Sequence, residues 1–162
     1  MPGNLKQNMQ KLIEQAYNLG KVEVLDELID PGYVRYQPPM KKVQGLASYK
    51  TFVEEVRGAY SNFKIEIEEI LTDGDKTVTR LILSGRHTGK TPTIQAPPTG
   101  REVAMKGCTV STWKDGKVVE EWENFDDLGM MVQMGMVTLP EEMAGDMGMT
   151  MESIAGGFNA PQ

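Results

Sequence analysis

Cysteine and histidine are almost absent from this sequence, in which Cys108 and His87 are the only examples. One cysteine cannot form an internal disulfide, and one residue of each type cannot build a Cys/His zinc site. The glycine-rich dinucleotide and phosphate loops and the GxSxG nucleophile motif are missing too. We therefore expect no metal and no bound cofactor, so any catalysis has to use carboxylates, tyrosines, His87 or arginine.

Basic residues and long apolar runs are also scarce. The chain has 17 Lys and Arg against 23 Asp and Glu, a net charge of −6, which argues against nucleic acid as a partner. No apolar run reaches the roughly 18 residues that cross a bilayer, and the first residues are polar. Together with the single cysteine, these features favour a cytoplasmic protein without a membrane partner.

The spacing of apolar residues changes from a helical period to alternation near residue 60. It predicts helices over 4–19, over a short stretch that ends at the DPG of 30–32, and over about 46–60. Four strands follow, with turns at Asp73-Gly74 and Asp115-Gly116, a loop over 88–100 and a bulge beside Ile70. This order predicts an α+β fold, a cone-shaped barrel in which a curved antiparallel sheet wraps around three N-terminal helices.

The C-terminal part has a different composition. Eight of the 12 methionines lie between Met130 and Met151, among several glycines. We predict a barrel domain over 1–135 and a Met/Gly-rich extension over 136–162 that packs on a neighbour or over the mouth of a pocket. Because an open sheet needs cover and methionines supply adaptable apolar surface, we also expect a homo-oligomer, either a dimer or a tetramer.

Several segments resemble a known family. They are AYNLGKVEVLDELIDPGYVRY, SGRHTGK, APPTGREV and DGKVVEEWENFDDLGMMVQMG, and their order is similar to that of the SnoaL-like polyketide (ester) cyclases over about residues 5 to 135. The resemblance implies the cone-shaped fold of the nuclear transport factor 2 superfamily. It also implies an intramolecular aldol closure of a polyketide ring, carried out without a metal.

The same resemblance suggests roles for individual positions. Glu123 matches the aspartate that serves as the acid/base on the last strand, and Tyr17 matches an active-site tyrosine of the first helix. Thr109 stands where the family has a second acid/base, a histidine, and it cannot do that work. Arg35 and Tyr36 stand where many relatives read Asp-His. The departures at 109 and 36 bear on which reaction the site can perform.

The last strand offers several acids, of which Glu123 is the main candidate. If Val119 and Phe125 face the interior, alternation turns Glu123 inward as well, and an apolar pocket raises the pKa of a carboxyl. The structural alternative is a solvated strand acid. Glu121 shares that face and is expected at the pocket rim, while Glu120, Asp126 and Asp127 are expected in solvent or at a helix start.

The remaining candidates are aromatic residues and apolar walls. Tyr17 and Tyr36 could donate to a developing oxyanion, although core packing explains Tyr17 equally well and Tyr36 could line the mouth. His87 is a further acid/base candidate because it titrates near neutrality, although a lone histidine is more often a structural hydrogen-bonding residue. The residues expected to bind substrate are Phe52, Phe63, Met105, Thr109, Glu121 and Trp122.

These observations predict a cofactor-independent cyclase or isomerase that uses general acid–base catalysis on a hydrophobic, polyketide-like small molecule. Two alternatives remain open. One is a non-catalytic binder of hydrophobic small molecules. The other is an epoxide hydrolase or dehydratase of the same superfamily, which would need an arginine between acids, and Arg80 is the arginine considered for that role.

Overall fold

The chain begins with a helical segment whose apolar side is buried. In the computed structural model, which describes residues 4–93 and 96–142, α1 spans Leu5–Leu12 and continues as a π-helical turn over Ile13–Asn18. Asn4 caps α1 by accepting a hydrogen bond from the Gln7 amide at 3.2 Å. Gly20 has φ +72, a conformation that glycine adopts without a steric penalty. The predicted extent of this helix is confirmed, and the π-helical turn is an addition that brings Tyr17 into the interior.

Two further helical segments complete the N-terminal half. A 3₁₀ turn at Val22–Val24 leads into α2, Leu25–Leu28, and α3 spans Leu46–Ala59. The predicted apolar face of α3 is the buried one, since Tyr49, Phe52, Val53 and Val56 are all buried. The three predicted helices are therefore confirmed.

The sheet has six strands in the order β2-β1-β6-β5-β4-β3. Their bounds are Ile29–Tyr36 for β1, Val43–Gln44 for β2, Tyr60–Asp73 for β3, Lys76–His87 for β4, Glu102–Lys114 for β5 and Lys117–Phe125 for β6. The four long strands form the predicted antiparallel meander. The structure adds β1, which pairs antiparallel with β2 but parallel with β6, so the complete sheet is mixed.

Three register shifts bend the meander, the first of them between Ser61 and Lys64 at the start of β3. Two others follow further along the chain. One lies between Ile67 and Glu69 of β3, where a bulge was predicted. The other lies where Thr112 pairs with Glu120 while Trp113 pairs with Val118, so Val119 is an extra residue in β6. Bulges increase local twist and bend a strand. The resulting curvature produces the cone-like sheet, whose inner face packs against the helices.

The chain closes the cone with α4, Asp127–Gln133. Asp126 caps this helix by accepting from the Gly129 amide at 2.9 Å. The side chain of Gln133 fastens it to β5 through two hydrogen bonds with the Ala104 backbone, at 2.7 and 3.0 Å. Most of the predicted extension, residues 143–162, lies outside the described residues. Within residues 4–93 and 96–142, no helix is both long enough and apolar enough to cross a membrane.

Candidate functional site

A cavity of about 80 Å³ lies between the helices and the inner face of the sheet. Its walls are largely apolar and include Leu12, Phe52, Leu81, Leu83, Met105 and Met130. Thr91, Pro92 and Thr93, from the loop after β4, also line it. Polar side chains enter from the sheet at Arg35, Gln37, Thr79, Thr109, Glu121 and Glu123. An apolar cavity with a few converging polar groups is the usual form of a small-molecule site.

Arg35 and Glu123 form a buried ion pair in this cavity. The two residues are only 4% and 7% exposed, and a guanidinium NH₂ group of Arg35 donates to the Glu123 carboxylate. Arg35 also donates to the Gln37 side-chain oxygen at 2.5 Å, and its guanidinium lies 4.1 Å from the centre of the Phe52 ring. Burial lowers the pKa of Arg35, but attraction to Glu123 outweighs burial and leaves that pKa above its ordinary value.

The position of this pair follows from how β1 and β6 meet. The two strands are parallel, with Arg35 opposite Glu121 and Tyr36 opposite Trp122. Alternation along β1 turns Tyr33 and Arg35 inward, Gln37 follows directly after the strand on the same side, and all three are buried. Glu123 faces inward as expected, although the argument from Val119 was wrong. Because Val119 is the bulge residue, the inner face of β6 consists of Val118 followed by Glu121, Glu123 and Phe125, the last of which faces inward as expected.

Glu121 lies deeper than the rim position expected for it, and that expectation is corrected. It is 3% exposed, because β1 covers this part of β6. Its carboxyl accepts hydrogen bonds from the Tyr33 hydroxyl and from the Ser111 hydroxyl, the latter at 2.7 Å. Burial raises the pKa of Glu121 to about 7, and the nearby charge of Glu123 adds to the effect. Glu121 is thus an acid whose pKa the apolar surroundings bring close to neutral pH.

Three tyrosines surround these acids. The hydroxyl groups of Tyr17 and Tyr49 are hydrogen-bonded at 3.0 Å, and the rings of Tyr33 and Tyr49 are 4.5 Å apart between centroids. Burial, reinforced by neighbouring acids or tyrosines, raises the pKa of all three phenols. They therefore remain neutral hydrogen-bond donors at physiological pH. Tyr17 lines the cavity as expected.

Four of the proposed site residues lie elsewhere, and their positions are corrections. Tyr36 and Trp122 stack on the outer face of the sheet with centroids 4.4 Å apart, because alternation turns them away from Arg35 and Glu123. Trp122 is 46% exposed. Phe63 packs beside the cavity against Tyr17 and Tyr60. His87 is buried at the end of β4, where its Nδ1 accepts from the Thr99 amide at 3.2 Å, which is the structural role considered for it.

The other proposed binding residues, Phe52, Met105, Thr109 and Glu121, all line the cavity. Asp127 does so too, although it was expected only at a helix start. It is half-buried, and Gln37 donates to its carboxylate at 3.3 Å. Burial raises the pKa of Asp127, while the hydrogen bond from Gln37 opposes that rise.

Sequence reasoning missed Gln37, Tyr33, Tyr49, Ser111 and Thr79, and it noted Arg35 only as a departure from the family. The available signal was the alternation in YVRYQ, which places residues 33, 35 and 37 on one face. Nothing in that stretch identified the polar face as the buried one. As for metals, no cluster of three or more His, Cys, Asp or Glu side chains suited to an ion occurs among the described residues.

The sequence matches the family of SnoaL-like polyketide cyclases over residues 7–134. This chain belongs to that family. A search of curated proteins found no match. Among solved structures, it is similar to TsrD from Streptomyces laurentii, with a TM-score of 0.73 and 24% identity, covering 82% of this chain and 96% of that one.

Two further structures support the same SnoaL-like fold. IdmH from Streptomyces antibioticus, whose polyketide cyclase activity is itself a proposal, is similar with a TM-score of 0.68 and 26% identity, over 82% of this chain and 99% of that one. A SnoaL-like polyketide cyclase from Agrobacterium tumefaciens has a TM-score of 0.67 and 16% identity, over 81% of this chain and 98% of that one. At such low identity these two comparisons support the fold alone. The reaction of this family member has to be inferred from the residues of its own site.

Proposed function

We propose that this family member is a cyclase or isomerase that works without a cofactor, by general acid–base catalysis on a neutral, hydrophobic carbonyl compound. The observation that carries the proposal is the Arg35–Glu123 pair, buried in an otherwise apolar cavity. A buried ion pair is weak support for stability. It is well suited to chemistry in which a base and a positive charge act on neighbouring atoms of one substrate.

In the proposed reaction, Glu123 removes a proton from a carbon next to a carbonyl group. The electron pair of the C–H bond moves to the carbonyl oxygen, and Arg35 stabilises the resulting enolate. The enolate carbon then attacks a second carbonyl of the same molecule, and the new alkoxide takes the proton back from Glu123. Because one carboxylate is a weak base, the C–H group has to be acidic already, as in a β-dicarbonyl compound.

Arg35 replaces Tyr36 in this proposal as the group that polarises the carbonyl. The side chain of Tyr36 stacks on the outer face of the sheet, whereas Arg35 holds a full positive charge inside the cavity. Tyr17 remains a further candidate donor. Thr109 contributes a hydroxyl but no acid/base group, so the proton must return through Glu123 or a nearby acid such as Glu121.

A second candidate reaction is the opening of an epoxide. Arg80 does not support it, because this residue pairs with Glu68 at 3.2 Å on an exposed surface. Arg35, however, binds Glu123 directly and is linked to Asp127 through Gln37. An arginine between two acids is the arrangement considered for epoxide opening. Formation of a diol from styrene oxide, lost in Glu123→Gln, would favour this candidate over the cyclase.

The test compares Glu123→Gln with Glu120→Gln on aromatic β-dicarbonyl compounds that carry a second carbonyl group. Glu123→Gln keeps the shape but removes the base, so turnover should fall by about 10²–10⁴. Glu120→Gln is the matched control and should keep the parent rate. Glu120 lies outside the cavity, where its carboxylate accepts a hydrogen bond from the indole N–H of the exposed Trp122 at 3.1 Å. Thermal unfolding of each variant verifies that the assay temperature is well below its Tm.

The binder alternative makes the opposite prediction. It expects no turnover of any compound in the panel, and an affinity that changes mainly when an apolar wall such as Phe52 is altered. Equal rates for Glu123→Gln and the parent would refute the proposed role of Glu123. Binding without turnover, together with a weaker affinity in Phe52→Ala, would favour the binder.

A further inference from the structure

Two residues that line the cavity each hold a buried polar atom without a hydrogen-bond partner among the described residues. These atoms are Nε of Arg35 and Oγ1 of Thr79. Unpaired buried polar groups destabilise a fold and are uncommon in native proteins, so each one calls for an explanation. A ligand that pairs with both atoms would supply it.

The sheet register shows how these atoms are arranged. Thr79 on β4 is opposite Thr109 on β5, and Thr109 is opposite Glu123 on β6. Thr79 is therefore two strands from Glu123, roughly 10 Å between Cα atoms at ordinary strand spacing. Since Arg35 binds Glu123, the open guanidinium N–H and the open hydroxyl lie apart on the inner surface, with Thr109 between them.

The chemistry of the two atoms restricts the ligand. Arg35 Nε can only donate, so it needs an oxygen acceptor, whereas a threonine hydroxyl can donate or accept. The positive charge of Arg35 is already matched by Glu123, and two further acids, Glu121 and Asp127, line the same cavity. Above pH 7, where Glu121 is ionised as well, these acids would repel an anionic ligand. A neutral carbonyl group is therefore the better acceptor for Arg35 Nε.

The space between the two atoms favours a small ring. The cavity volume of about 80 Å³ is roughly half that of a cavity of about 150 Å³ that holds one benzene molecule. The enclosed space therefore limits the ligand to a single small ring. Leu81, Leu83 and Phe52 provide apolar walls for such a ring.

We propose that the cavity takes a neutral ring compound with oxygen functions at both ends, a carbonyl that accepts from Arg35 Nε and a hydroxyl or second carbonyl that bonds Thr79 Oγ1. The inference rests on the proposed function only in taking this cavity as the ligand site. It names Thr79 as a binding residue that determines specificity and describes the class of ligand, and it requires no turnover.

The test measures the affinity of two probes, acetophenone and 4-hydroxyacetophenone, by titration calorimetry or NMR. For the parent, the extra hydroxyl should tighten binding by about fivefold, the usual net effect of one hydrogen bond. In Thr79→Val, which keeps the branched shape but removes the hydroxyl, this gain should vanish while the affinity for acetophenone stays the same or improves. Benzoate, which carries a negative charge, should bind the parent at least about tenfold more weakly than acetophenone.

The matched control is Thr77→Val, on the same strand and the same face. The Thr77 hydroxyl accepts from the Trp113 indole at 2.9 Å, so this variant should have a lower Tm but keep the fivefold gain. The Tm of Thr79→Val should equal or exceed that of the parent, because the Thr79 hydroxyl has no hydrogen-bond partner to lose within residues 4–93 and 96–142.

Three results would overturn the proposal. They are an equal gain from the hydroxyl in the parent and Thr79→Val, tighter binding of benzoate than of acetophenone, and no detectable binding of 4-hydroxyacetophenone to the parent at millimolar concentration. These outcomes concern binding alone. A protein that binds as expected but converts no substrate would contradict the proposed reaction and leave this inference standing.

Discussion

Glu121 should make the stability of this protein fall as the pH rises from about 4.5 to 7. Burial raises its pKa from 4.5 to about 7, so the folded protein holds a proton that the unfolded chain has already released. A group whose pKa is raised on folding stabilises fully below its unfolded pKa and loses that contribution through its folded pKa. At about 1.4 kcal/mol for each pH unit, the folded state loses about 3 kcal/mol between these limits.

Glu121→Gln isolates this effect, because glutamine resembles the protonated acid and does not titrate. Both Tyr33 and Ser111 can still bond it, since a hydroxyl group accepts as well as donates. The variant and the parent should be similarly stable near pH 4.5, and the variant should be about 3 kcal/mol more stable above pH 8. Other titrating groups are common to both proteins and largely cancel in the difference.

Urea unfolding of both proteins at several values between pH 4.5 and 9 gives that difference directly. Glu121→Asp is a useful companion variant, since it keeps the charge but shortens the side chain, and it should not gain stability at high pH. If the stability difference between Glu121→Gln and the parent were the same at pH 5 and pH 9, the carboxyl would be ionised throughout. The reasoning about its burial would then fail.

Further predictions concern the ion pair and the outer face of the sheet. Arg35→Met should destabilise the protein by about 3–5 kcal/mol in urea unfolding, because it leaves the Glu123 charge buried and unpaired, whereas Arg35→Met combined with Glu123→Leu should be close to neutral. Strictly additive effects of the single variants would contradict the buried pair. We also expect a homodimer or larger homo-oligomer by light scattering at about tens of micromolar, with the exposed Trp122 and its partner Tyr36 in the interface. Trp122→Glu should dissociate it, and a monomeric parent would contradict the expectation.

The oligomer prediction now rests on different residues. The sequence suggested Met130, Met131, Met134 and the C-terminal extension as the adaptable surface. Met130 and Met134 are 2% exposed within the chain itself, Met131 is half-buried, and residues 143–162 lie outside the described residues. The indole of Trp122, by contrast, was expected in a pocket wall and lies on the outer face. The sequence predicted that apolar residues such as these methionines and Trp122 would be buried. Only the fold decides which of them are buried within one chain and which are left for a partner to bury.

The order of elements could be predicted from the sequence because its signals are local. Helical spacing and the turn at Asp115-Gly116 depend on neighbouring residues and on φ values that glycine or an aspartate can adopt. The structure has each of them at the expected position. The family resemblance, confirmed over 7–134, follows from the same ordered segments.

The candidate site could be predicted only in part, because it depends on pairing between distant strands. Glu123 was identified, but nothing in the sequence indicated that Glu121 is an acid whose pKa burial raises to about 7. The pKa of each acid depends on its burial and on which of the two forms the ion pair with Arg35. Arg35 arrives from β1, nearly ninety positions earlier in the chain, through a parallel pairing that no local pattern specifies.

The sequence by itself determined the helices, the four long strands, their turns and the presence of several acids around Trp122. The tertiary structure alone decided which of these acids is buried and which one pairs with an arginine. The bulge at Val119 selected which acids face inward, β1 buried Glu121 without a cation of its own, and Arg35 reached Glu123 instead. The physical reason is that burial and charge pairing act through space, so the electrostatics of these acids depend on neighbours that only folding brings together.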